Sequence, residues 1–143
     1  MEKKTPKEYL RQLRTAEIKI EQKEEELERL KSSLESISAG TDSERVQTTP
    51  RDRLSEEVPI IADLKEEIKS DIKALLILKN KIINEIQSMD NPVYINILYK
   101  RYVQYKSLEE ISVEMSYSYH WIKHLHGIAL QEFKMACLST PKK

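Results

Sequence analysis

Glycine, phenylalanine and cysteine are nearly missing from this 143-residue chain, which has two Gly, one Phe and one Cys. So few glycines and phenylalanines are unusual for a compact globule. Cys137 stands alone, so no disulfide forms within the chain and a reducing compartment fits. No apolar run approaches the roughly 18 residues of a transmembrane helix. Met1 to Pro6 is charged and lacks the apolar region of a signal peptide, so the expected location is the cytoplasm. There is no nucleophile–base set, no Gly-rich phosphate loop and no carboxylate pair at a cleft-like spacing. The expectation is therefore a protein that is not an enzyme and uses no cofactor.

Net charge is also lacking, but the zero total hides an uneven spread. Residues 1–53 hold 12 basic and 12 acidic side chains. Residues 54–90 hold 5 and 8, and residues 91–143 hold 7 and 4 together with all three histidines. The C-terminal third is thus mildly basic. What the chain has in quantity is charge, at 34% against roughly a quarter in an average domain, with Leu and Ile recurring between. Long helices and coiled coils have this composition.

The spacing predicts a first helix opening at Thr5 with Pro6 in its first turn. Leu13, Ile20, Leu27 and Leu34 recur by sevens, with Ala16, Leu30 and Ile37 as companions and Lys23 as the one polar interruption. That is a coiled-coil seam over residues 1–37. Glu24 to Glu26 with Arg29 and Lys31 read as its solvated face. Gly40 suits a C-terminal cap, and residues 38–53 have no period and read as a long flexible linker. A second long helix is expected over 54–90. Leu54, Ile61, Ile68, Leu75, Ile82 and Met89 are spaced by seven, and Lys65 and Lys79 interrupt the companion positions. Leu64, Leu76, Leu78 and Ile83 broaden its later turns, which implies more than one packing partner. Pro59 sits either in the first turn of a shorter helix or at a kink in a longer one. The two helices form a hairpin or pair between chains, and the apolar surface left over argues for a homo-oligomer, a dimer first.

Residues 91–137 read as a compact module, with a disordered tail over 138–143. Asn91-Pro92 is a cap followed by Pro at the first helical position, and Ile95, Leu98 and Tyr102 form one buried face. Gln104 to Lys106 break the pattern. Ser107-Leu108-Glu109-Glu110 is a capping box, opening a short helix that buries Leu108, Ile111 and Met115. Ser116-Tyr117 makes a turn and Ser118 caps the last helix, whose core face is Ile122, Leu125, Ala129 and Phe133. Helix, turn, helix is the outline of a DNA-binding unit whose second helix lies in the major groove. On that reading Ser118, Tyr119, His120, Lys123 and His124 meet double-stranded DNA, and Lys100, Arg101 and Lys106 hold flanking phosphates. Arg101 can equally be structural. Trp121 either packs on the preceding helix or stacks on a base. Gly127, in mid-helix, is expected where a neighbouring helix comes close. His120 and His124 share a face but have no third ligand at a metal-binding spacing, so no metal is expected.

Several motifs together carry a resemblance. They are Leu98-x-x-Arg101-Tyr102, Ser107-Leu108-Glu109-Glu110-Ile111, Tyr117-Ser118, and Ile122-Lys123-x-Leu125-His126-x-x-Ala129-Leu130. They resemble region four of sigma factors, and more closely the small sigma-like regulators of Gram-positive phages and prophages, the RinA/ArpU-like family. Arg45-Val46-Gln47-Thr48-Thr49 before an acidic helix is similar to the linker of that group. The resemblance spans residues 38–133. It implies a phage transcriptional regulator in the bacterial cytoplasm that binds promoter DNA through its last helix and contacts host RNA polymerase. The expected fold is all-α: a long helical hairpin or coiled coil, then a sigma-region-four-like helix-turn-helix. The thin positive charge of that module argues that two copies act together. The competing reading is a phage assembly or packaging adaptor, similar to a small terminase subunit, that uses the coiled coil to oligomerise.

Overall fold

The computed structural model describes residues 4–39 and 50–138, with side chains for 4–36 and 56–138. Among the described residues every regular element is helical. Helix α1 spans Pro6–Ala39 and α2 spans Pro50–Gln87. Then come α3 (Pro92–Leu98), α4 (Leu108–Met115) and α5 (Tyr119–Phe133). Gly40 and most of the linker lie outside the described residues. Among the described residues no helix is long and apolar enough to cross a membrane.

Helix α1 starts where its sequence signals a start. The Thr5 hydroxyl accepts the Glu8 N–H at 3.1 Å, and the Glu8 carboxylate accepts the Thr5 N–H at 3.2 Å. Two orphan donors of the first turn are thus satisfied. Pro59 lies inside α2, where its missing N–H removes one intrahelical hydrogen bond.

The described chain divides into two compact units, and α1 and α2 contribute to both. In Glu17–Ala74 they pair along the predicted seam: Ile20 and Leu30 of α1 and Ile61 and Ile68 of α2 are buried. Lys23, the polar seam residue, bonds Glu67 across the pair at 2.9 Å and also Asp71. Two carboxylates on the facing helix therefore answer the one ammonium, a polar match of the kind that fixes register.

The other unit takes Met1–Ala16 and Leu75–Lys143. Its main core joins Leu10 and Leu13 of α1, Ile82, Ile86 and Met89 at the end of α2 and beyond, and Leu98, Tyr102, Val103, Ala129 and Phe133. Tyr9 ties three helices together: its hydroxyl donates to Glu85 at 2.6 Å and accepts from Lys81 at 2.9 Å, and its ring lies 6.0 Å from that of Phe133. Of the residues that broaden the late stripe of α2, Leu78 and Ile83 pack on this core, whereas Leu76 is 59% exposed. A second core gathers Ile97, Ile111, Ile122 and Leu125. Helix α3 lies between the two cores, giving Leu98 to one and Ile97 to the other.

Candidate functional site

The candidate site is built by the short elements from Asn91 onward. The Asn91 side chain accepts the Val93 N–H at 2.8 Å and starts α3. Past Leu98 the helix widens into a π-turn, Tyr99–Val103, with the Gln104 N–H on the Tyr99 carbonyl at 3.1 Å. Tyr105 then takes a left-handed conformation, φ 61°. Together these swing the chain into Ser107, where the capping box forms: Ser107 Oγ accepts the Glu110 N–H at 3.1 Å and Glu110 Oε1 accepts the Ser107 N–H at 2.8 Å.

Helix α4 ends at Ser116, also left-handed with φ 61° and ψ 39°, the place where glycine commonly ends a helix. The Tyr117 N–H returns to the Ser112 carbonyl at 3.0 Å and closes the turn. Ser118 then caps α5, its hydroxyl accepting the Trp121 N–H at 3.0 Å. Ile122, Leu125, Ala129 and Phe133 are buried as the spacing predicts. Tyr119, His120, Lys123 and His124 are all exposed, with Lys123 5.8 Å from the Tyr119 ring centroid.

Gly127 lies on the same exposed side, and a methyl group added there would meet nothing within 4 Å. The expected close neighbour is therefore not found among the described residues, whose packing does not explain this glycine. Trp121 is 45% exposed and stacks on His124 at 5.1 Å. With exposed Tyr117 and Val113 it gives the turn and the start of α5 an apolar surface.

The three basic residues before α4 are engaged. Lys100 bonds Glu114 of α4 at 2.8 Å and Lys106 bonds the same carboxylate. Those two hydrogen bonds, that of Lys100 first, hold the Glu114 carboxyl below its usual pKa. Two cations on one anion leave a local surplus of one positive charge. Arg101 donates to the Lys106 carbonyl at 2.9 Å, so one arm of its guanidinium holds the turn.

No family model, curated protein or solved structure matches the chain.

One polar residue of α5 faces inward. His126 is buried, with Nε2 2.8 Å from the Tyr102 hydroxyl. Burial, and then the charges of Arg101, Lys7 and Arg11, push its pKa down to about 4. The ring is neutral at pH 7, and either neutral tautomer can form the bond to Tyr102. Sequence spacing does not reveal this pairing, because Tyr102 lies 24 residues away and meets His126 only through tertiary packing. Trp121 had one readable signal, its place three residues before His124 on the same helix. Among the described residues no three His, Cys, Asp or Glu side chains converge as a metal site.

Proposed function

We propose that this protein is a phage or prophage transcriptional regulator that binds promoter DNA through α4, the Ser116–Tyr117 turn and α5. On this reading they act as a sigma-like helix-turn-helix with α5 in the major groove. The observation that carries the reading is the exposed outer face of α5, opened by a Ser cap and holding Tyr119, His120, Lys123 and His124. A capped helix N-terminus directs N–H groups and a positive dipole end at phosphate. Lys123 pairs with a phosphate or a guanine edge, the histidines donate to base edges, and Tyr119 and Trp121 pack on sugars. Lys100 and Lys106 reach flanking phosphates by exchanging Glu114 for the DNA backbone. Host RNA polymerase is the second partner that the sigma-like resemblance brings.

One module offers few phosphate contacts and binds weakly at physiological salt. A dimer doubles them. Leu76 and Ile77 on α2, 59% and 66% exposed, supply apolar surface for a second copy.

The test is a mobility-shift titration against duplexes from upstream phage regions, repeated over a salt series. Lys123→Ala with His124→Ala should weaken binding by about ten- to a hundredfold, and losing Lys123 should lower the salt slope by about one. Unchanged binding by the double variant would remove α5 as the reading helix. The same exposed Leu76 and Ile77 also support a second reading, a packaging or assembly adaptor. A ring-sized mass by light scattering, with no preference among duplexes, would favour it.

A further inference from the structure

Away from the outer face of α5, the unit containing α3 to α5 holds a pocket of about 260 Å³ lined by Leu10, Arg11, Arg14, Thr15, Arg101, Tyr102 and Tyr105. Three of these are arginines. Arg11 and Arg14 lie about one turn apart on α1, and the π-turn Tyr99–Val103 delivers Arg101. The Arg14 guanidinium lies 4.9 Å from the Tyr105 ring centroid, which orients it over the aromatic face. Arg101 donates to the Lys106 carbonyl and also hydrogen-bonds the Tyr102 hydroxyl, which holds its guanidinium at the pocket wall.

Three guanidiniums thus line one pocket in a chain of zero net charge. The buried groups beside the pocket register them. Arg101, Lys7 and Arg11 act on His126, Arg101 and Arg11 act on Tyr102, and no carboxylate is among the charges acting on either. The backbone is unusual at the same place. A π-turn carries Arg101 and Tyr102, and Tyr105 is held left-handed. Such features recur where a fold keeps a costly local geometry for binding.

We propose that this pocket is a phosphate site, taking a small, multiply charged oxyanion such as inorganic phosphate or pyrophosphate through Arg11, Arg14 and Arg101. Guanidinium forks match phosphate oxygens two at a time, and three of them favour a dianion over a singly charged diester. The volume lies just below the roughly 300–1,000 Å³ of pockets for drug-sized ligands, which suits a phosphate or pyrophosphate better than a whole nucleotide. The site does not depend on the DNA reading.

The test is calorimetric titration of the full chain with pyrophosphate and with inorganic phosphate, in a phosphate-free buffer of low ionic strength. One saturable site per chain is expected. Arg11→Gln and Arg14→Gln, both at exposed positions, should each weaken it about tenfold or more with the helical circular dichroism unchanged. Lys69→Gln, an equal loss of charge on α2, should leave it unaltered. Bound anion should also raise the pH at which the His126 imidazole titrates by NMR. Absence of saturable binding, wild-type affinity in an Arg11→Gln/Arg14→Gln double variant, or an equal loss in Lys69→Gln would each overturn the proposal. So would a chain that ignores pyrophosphate but loses duplex binding with the arginines, since they would then hold a nucleic-acid backbone.

Discussion

On the inner side of α5, Ile122, Ala129 and Phe133 are fully enclosed, and Leu125 and His126 nearly so. On its outer side His120, Lys123, His124 and Gly127 are exposed. Inner side chains reach other helices: Phe133 lies beside Tyr9 of α1, and His126 bonds Tyr102 of the π-turn. The ring contacts of the outer side stay within α5, Trp121 on His124 and Lys123 over Tyr119. The inner face is thus constrained by packing, and its residue types follow from the space available. The outer face has no such constraint, yet it carries a glycine and two histidines, none of them a strong helix former. Its composition is better explained by something outside the fold than by helix stability.

The contrast is most sharply tested at Phe133. Truncating a fully buried Phe typically costs about 3–5 kcal/mol, from lost burial plus the cavity left behind. Phe133→Ala should therefore lose that much in urea unfolding, while His124→Ala on the outer face should stay within about 0.5 kcal/mol of the parent. Comparable losses from the two would mean that the outer face is packed as well and that the comparison fails.

Much of this architecture was readable because its signals are local. The caps at Thr5, Asn91, Ser107 and Ser118 form as their residue types require, since each needs only neighbours two or three positions away. The four core positions of α5 follow from one helical period. Leu10, Ile97 and Val103, all buried, are harder to read. Leu10 falls off the heptad positions because α1 meets more than α2 there, and Ile97 faces a second core that a single periodic stripe does not reveal. In the candidate site, exposure of Tyr119, His120, Lys123 and His124 was legible. Pairing of Lys100 and Lys106 with Glu114 was not, because it depends on where α4 comes to rest. The arginine pocket is further from reach still, since Arg11 and Arg14 meet Arg101 only through tertiary packing.

His126 gives the inner face a pH signature that the outer histidines do not share. Its folded pKa is about 4, against a usual 6.5, because burial and neighbouring cations disfavour the charged ring. Between those values the unfolded chain binds the extra proton, so stability rises with pH. The contribution is fully present above about pH 6.5 and is lost as pH falls through about 4. It amounts to about 3 kcal/mol for this nearly enclosed ring. Carboxylates titrate over the same range, so the measurement is a difference: urea midpoints of the parent and of His126→Gln from pH 7 to pH 4. The variant should be less stable at pH 7 and should lose less on acidification. Parallel curves would show that His126 is not held neutral by its surroundings.

The smallest effect tests the outer face most directly. A glycine inside a helix costs about 1 kcal/mol relative to alanine, and at Gly127 the added methyl group would meet nothing within 4 Å. Gly127→Ala should therefore stabilise the protein by about 1 kcal/mol in the same urea assay. A loss of stability would mean that the face is not open, and the comparison between the two sides would fall. Given the expected gain, duplex affinity tests whether the proposed DNA contact reaches this glycine. Gly127 shares its side of α5 with His120, Lys123 and His124, so under the proposed function a DNA backbone seated on those residues would pass close to it. A more stable variant that binds duplex more weakly would extend the contact surface as far as Gly127. A more stable variant with parental affinity would confine contact to the first two turns of α5, from Tyr119 to His124.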